Sequence, residues 1–156
     1  KKRYAVFCQK KVDYKLNLLN ETEADWFGSK ICLKKNLRSP QWFRDLKFKK
    51  YPFWRIDKIR DLQIIKDGGW HFSNIKTAKE IEHKLKSYLH HREFDLEPLT
   101  TNQIDEIIKN KQEIYDLKVD KRINKIGAGD KLEKFEFSKL PIYIQKNKNN
   151  FKEWID

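Results

Sequence analysis

The sequence predicts an α/β or α+β fold in which short strands come first and helices follow. Two observations carry this expectation. Up to Ser73 the apolar residues fall in short β-like runs broken by turns, and from Thr77 onward they recur at helical spacing behind cap signals. The 156 residues suffice for one domain, residues 1–156, with a core of its own, but not comfortably for two.

Residues 4–8 and 12–18 read as strands, the second alternating apolar and polar from Val12 to Leu18. Residues 20–23 make a turn, and residues 26–33 return to β character. Ser39 and Pro40 start a helix expected to reach about Lys47: Ser caps, and Pro occupies the first position, where its missing N–H costs nothing. Pro52 forbids a helix through the aromatic stretch Phe53-Trp54. Leu62-Gln63-Ile64-Ile65 reads as a buried strand and Trp70 to Ser73 as another, joined through Gly68-Gly69. Thr77 and Glu80 form a capping box ahead of the helical face Ile81, Leu85, Tyr88 and Leu89. Thr100 to Gln103 opens a second helix with Ile104, Ile107 and Ile108 inward. Residues 116–137 carry little pattern beyond a loop at 127–130, and residues 140–155 suggest one or two short helices.

Composition narrows the functions available. Hydrophobic content is 38%, the mean hydropathy is −0.89, and no apolar run approaches the ~20 residues of a membrane span, so the chain reads as soluble; it is expected to be cytoplasmic, any membrane anchor lying outside it. Cys8 and Cys32 are too few for a disulfide framework or a zinc cage and are expected as buried free thiols. The net charge of +12 suits a polyanion: nucleic acid, an anionic membrane surface or a phosphorylated donor. The lysines are spread along the whole chain, however, as on a solvated face, which makes nucleic acid the lesser expectation. The chain has no Met, and its first residues already read as a strand, so further sequence is expected before Lys1.

Asp67-Gly68-Gly69-Trp70-His71-Phe72-Ser73 is the richest segment: a carboxylate, a permissive turn, an indole, an imidazole and a hydroxyl at a strand end. His71 suits metal ligation or proton transfer, or a ring that merely hydrogen-bonds a neighbour. Trp70 suits stacking on a sugar or base, or the core. Asp67 suits a base or a turn cap. His90-His91-Arg92-Glu93-Phe94 would complement it by holding an anion and moving a proton, provided it folds near His71; basic residues at a helix C-terminus explain it equally. Trp42, Arg44, Lys47, Lys49, Lys50 and Arg55 mix rings with bases, as in single-strand nucleic-acid or phosphate binding; a helix packing Trp42 and Leu46 inward with its bases outward explains them equally. Walker, dinucleotide-binding, Ser-hydrolase, paired Cys-x-x-Cys and zincin signatures are absent.

The order Tyr14-Lys15-Leu16-Asn17, Trp26-Phe27-Gly28, Leu37-Arg38-Ser39-Pro40-Gln41-Trp42, Gly68-Gly69-Trp70-His71-Phe72-Ser73, His91-Arg92-Glu93-Phe94 and Phe151-Lys152-Glu153-Trp154-Ile155 resembles glycosyltransferase family 17 over nearly the whole chain. That family includes the enzyme adding the bisecting N-acetylglucosamine to N-glycans. The resemblance implies a GT-A-like, Rossmann-like α/β fold and inverting sugar transfer from a nucleotide sugar, a UDP-sugar by expectation, to a glycan acceptor. A divalent metal, Mn2+ or Mg2+, would bridge the donor diphosphate, with His71 as a metal ligand. Asp67 or Glu93 would be the catalytic base, and Gly68, Gly69, Trp70, Ser73, His91, Arg92 and Trp42 would bind substrate, with Lys66 or Arg92 on phosphate. The family's acidic motif precedes the region matched here, and the nearest approach to Asp-x-Asp in this chain is Asp95-Leu96-Glu97. The chain is therefore expected to be the C-terminal part of a longer catalytic domain, with little or no catalysis alone. A basic nucleic-acid-binding module and a non-catalytic structural remnant are the alternatives.

Overall fold

The computed structural model describes residues 2–20, 26–48, 52–87, 97–115 and 129–156. They are mixed α/β, with two small mixed sheets and several helices. The chain gathers into two compact units, one of residues 1–10 and 25–71, the other of residues 11–24 and 72–156. It passes from the first to the second within strands β2 (Lys10–Asp13) and β6 (Trp70–Ser73).

The first unit is built on β1 (Tyr4–Phe7), which pairs antiparallel with β4 (Lys30–Cys32) and parallel with β5 (Leu62–Ile65), in the order β4-β1-β5. Alternation along β1 buries Tyr4 and Val6. Leu46 and Phe48 are buried too, and Phe27 meets the Phe48 ring edge-on. Helix α1 (Pro40–Arg44) starts as the sequence predicts, with the Ser39 hydroxyl accepting from the Trp42 N–H, but ends three residues early, so Leu46 is buried beyond the helix rather than on it. The expectation of a buried strand at 62–65 needs correcting. The strand exists, but it lies at the end of the sheet order, and its residues are half-buried or exposed. Of residues 26–33 only 30–32 are strand, with Trp26 as an isolated bridge to Gln9. Cys8 and Cys32 stand outside any disulfide and are half-buried rather than buried.

In the second unit, β2 pairs antiparallel with β3 (Leu18–Leu19), and β3 with β7 (Glu133–Lys134), in the sheet order β6-β2-β3-β7. The single strand expected over 12–18 is therefore two strands and a reversal. Tyr14 takes φ 60°, a left-handed conformation rare for a bulky residue. The buried Asn17 side chain then donates to the Asp156 carbonyl at 3.0 Å and accepts from its N–H at 2.8 Å. Leu16 N–H donates to the Trp154 carbonyl, so the C-terminal segment supplies what a continuing strand would have found in a sheet.

Helices α2 (Ala78–Ser87) and α3 (Thr101–Lys109) cover this core. Both capping boxes form: Thr77 with Glu80, and Thr100 with Gln103. Ile81, Leu85 and Ile104 join Tyr14, Leu18, Ile114 and Leu132 in one cluster, with Ile107 and Ile108 partly buried against it. The Thr101 hydroxyl donates to Glu82 across the helix pair. Helix α4 (Ile142–Lys146) and a 3-10 helix (Lys148–Trp154) match the short helices expected at the end. Tyr88 and Leu89 lie outside the described residues. Ile104 is fully buried, so Ile104→Ala is expected to lower the unfolding free energy by about 2–5 kcal/mol, read from urea denaturation.

Candidate functional site

The site is organised by three residues, Cys8, Gln9 and Lys10, where β1 gives way to β2. Cys8 N–H donates to the Ile65 carbonyl at 2.9 Å and the Cys8 carbonyl accepts from Gly68 N–H at 2.7 Å, while Lys10 N–H donates to the Gly69 carbonyl at 3.0 Å. Gln9 exchanges both backbone hydrogen bonds with Trp26, at 2.9 and 3.0 Å, and its side-chain amide donates to the Trp70 carbonyl at 3.4 Å. One short segment thus holds the Trp26-Phe27-Gly28 and Asp67-to-His71 motifs together.

Close approach explains the glycines. A Cβ on Gly68 would fall 2.7 Å from the Phe7 Cβ and 3.0 Å from the Ile65 carbonyl oxygen, and Gly69 takes φ 119°. A Cβ on Gly28 would fall 2.2 Å from the Trp26 indole nitrogen, so that glycine makes room for the indole. The rings follow from this backbone. Trp26 and His71 stack at 4.6 Å with 19° between planes, and Lys10 Nζ stands 5.4 Å from the Trp70 ring centroid. The stack fixes the imidazole plane and keeps the ring nitrogens, which lie on its edge, out of the contact. Lys10 Nζ also lies 3.8 Å from Asp67 Oδ1, a carboxylate side chain that is 84% exposed at φ 49°. Asp67 is thereby a turn residue with an accessible carboxylate. Gly68→Ala forces its methyl onto neighbouring backbone and is expected to cost about 1–3 kcal/mol and to disturb the Trp26–His71 stack, read as a lowered melting temperature and an altered near-ultraviolet dichroism.

Other expected residues are placed differently. Trp42 meets Tyr4 edge-on at 5.8 Å, stacks with Phe43 at 6.4 Å and lies under the Arg38 guanidinium at 4.9 Å, so these ring contacts belong to the packing of α1 and none is with the Asp67-to-His71 turn. Ser73 ends β6, its carbonyl accepting from Tyr14 N–H. Lys66 is exposed beside the turn. Glu93, His91 and Arg92, with His90 and Phe94, lie outside the described residues, as do Lys49 and Lys50. Among the described residues no three His, Cys, Asp or Glu side chains gather as a cation site requires. With no carboxylates gathered beside it among the described residues, His71 by itself does not fit the implied Mn2+ or Mg2+, which prefers several oxygen ligands.

The sequence reading missed a second constellation, in the second unit. Lys11, Asp13 and Glu113 are all buried, 8%, 3% and 4% exposed. Lys11 Nζ lies 2.9 Å from Glu113 Oε1, Asn74 donates to Asp13 Oδ1 at 2.9 Å, and Lys84 donates to Asn74 Oδ1 at 2.6 Å. Burial, then the Glu113 charge, push the Asp13 carboxyl up to about 7, against the pull of Lys11 and the Asn74 amide. Burial also pushes the neighbouring Tyr14 phenol up. The missed signal was alternation: with Val12 and Tyr14 as the inward face, Asp13 should point outward, but the reversal at Tyr14 buries all three. So enclosed, the cluster serves the fold.

The sign of its pH dependence follows. The carboxyl titrates near ~4 in an unfolded chain and at about 7 here, so across that window the folded protein keeps a proton that the unfolded chain has lost. Stability therefore falls as pH rises from 4 to 7, and the whole loss is present above 7. Asp13→Asn keeps the hydrogen bond from Asn74 without the charge. It is expected to be more stable than the parent at pH 8 and to lose most of the decline between pH 5 and 8, measured by urea midpoints.

Compared with known proteins, the chain matches no family model, no curated protein and no solved structure.

Proposed function

We propose that this chain is part of a nucleotide-sugar-dependent glycosyltransferase with a GT-A-like architecture, using the Gly68-Gly69 turn and its rings as one wall of the donor site. The observation that carries the reading is the convergence of Trp26, Gly68, Gly69 and Trp70 on the Cys8-to-Lys10 segment, with His71 stacked on Trp26. These residues come from two of the motifs that resemble glycosyltransferase family 17, and they are far apart in sequence.

The arrangement suits such a ligand chemically. Lys10 supplies a cation beside an exposed turn, where a diphosphate needs charge neutralised. Trp70 supplies a flat apolar face for a sugar or base. His71, its plane fixed by Trp26, can donate or accept a hydrogen bond or move a proton at the ring edge. Asp67 is the accessible carboxylate closest in sequence, and its pairing with Lys10 gives the anion a competitor for that cation. Binding of a diphosphate would release Asp67 from the pair, which makes the carboxylate available to an acceptor hydroxyl.

The test is a titration of the chain with UDP, followed by NMR at the tryptophan indole and histidine ring signals. Saturable shifts at Trp26, Trp70 and His71, abolished by Lys10→Glu, are the expected result. Saturable shifts confined to other residues, or none at millimolar UDP, would overturn the reading.

A further inference from the structure

Residues 52–60 of the first unit present a surface that the donor site leaves unexplained. Phe53 is 87% exposed, Trp54 68% and Ile56 100%. Large apolar side chains so fully exposed within four residues of one another are unusual on a folded surface and mark a place of contact.

The loop holds them outward by construction. Arg55 N–H donates to the Pro52 carbonyl at 3.2 Å, closing a turn whose two corner residues are Phe53 and Trp54. The two rings meet edge-on at 5.2 Å. The Arg55 guanidinium grips Asp57 with two hydrogen bonds, at 2.9 and 2.7 Å, and the Lys58 ammonium donates to the Pro52 carbonyl at 3.3 Å. Ile59 N–H donates to the Lys47 carbonyl, fixing the far end. The apolar tip is thus braced in place. Beside it opens a cavity of about 550 Å3 whose lining includes Phe53 and three bases, Arg55, Lys58 and Arg60.

We infer that this loop docks the protein on an anionic lipid bilayer, the Phe53, Trp54 and Ile56 side chains entering the interface and Lys58 and Arg60 meeting lipid phosphates at the cavity. Charge and shape select this occupant. A ring-stacking ligand such as an oligonucleotide or a saccharide accounts for Phe53 and Trp54 but leaves the fully exposed Ile56 without a role, whereas the hydrocarbon boundary takes all three. Aromatic side chains favour the headgroup level, and basic ones beside them are drawn to a negative surface. The net charge of +12 adds a long-range attraction of the same sign. The contact proposed is peripheral, an interfacial loop rather than a spanning segment.

Sedimentation with vesicles tests this without any nucleotide or sugar, and so independently of the transferase reading. The chain is expected to pellet with vesicles of phosphatidylcholine mixed with phosphatidylglycerol, and far less with phosphatidylcholine alone. The combined variant Phe53→Ser, Trp54→Ser, Ile56→Ser should bind about tenfold more weakly, or worse, while melting like the parent, because these side chains are exposed. Lys58→Glu with Arg60→Glu should weaken binding to the anionic vesicles alone. Unchanged binding by the triple serine variant would assign the attraction to diffuse lysines and overturn the proposal. So would failure of the parent to pellet with anionic vesicles, or binding of an oligonucleotide or acidic oligosaccharide through the same residues in place of vesicles.

Discussion

The close passage of Gly68 over Phe7 is the constraint on which the candidate site depends. No side chain fits between these two backbones, and the absence of one lets Gly68 N–H reach the Cys8 carbonyl. That contact sets the turn, the turn places Trp70 and His71 at the start of β6, and the opposite side of the same segment holds Trp26. The rings therefore meet through backbone geometry and not through any attraction that their own sequence neighbourhood would reveal. Lys10 closes the arrangement by standing between the indole and the Asp67 carboxylate.

The second unit is stabilised in a different manner. Its apolar cluster follows from helix faces and two capping boxes, but beside it lie a buried lysine and two buried carboxylates. Taking these charges from water is expensive, and one ion pair leaves the second carboxylate to be accommodated by the Asn74 amide and by a raised affinity for a proton. The apolar cluster of the same unit includes Tyr14 and Ile114, the chain neighbours of Asp13 and Glu113.

Much of the local structure was legible in the residues. Ser39-Pro40, Thr77 with Glu80 and Thr100 with Gln103 each announced a helix start, because capping is a contact among residues three apart. The strand at 70–73 and the short helices near the end were legible for the same local reason. Alternation over residues 12–18 does not make one strand, because a strand needs partners along its length. Asn17 instead found Asp156, 139 positions away. The apolar run at 62–65 does not reveal its place at the end of the strand order, which leaves it half-buried or exposed. The candidate site was legible as a cluster of suggestive side chains on one segment, while Trp26 and Lys10 joined it only through the β1–β2 junction.

The sequence by itself determined where helices begin, which residues are free to make the Gly68-Gly69 turn, and that the chain carries a large positive charge without a membrane-crossing run. These are properties of composition and of neighbours within a turn of the chain. The tertiary structure alone decided that Trp26 stacks on His71, that Lys11, Asp13 and Glu113 are buried together, and that Phe53, Trp54 and Ile56 are left outside. Each of those outcomes rests on which distant backbone hydrogen-bonds to which, and on which apolar groups the core has room for. Neither the spacing nor the character of the residues in one segment contains that information.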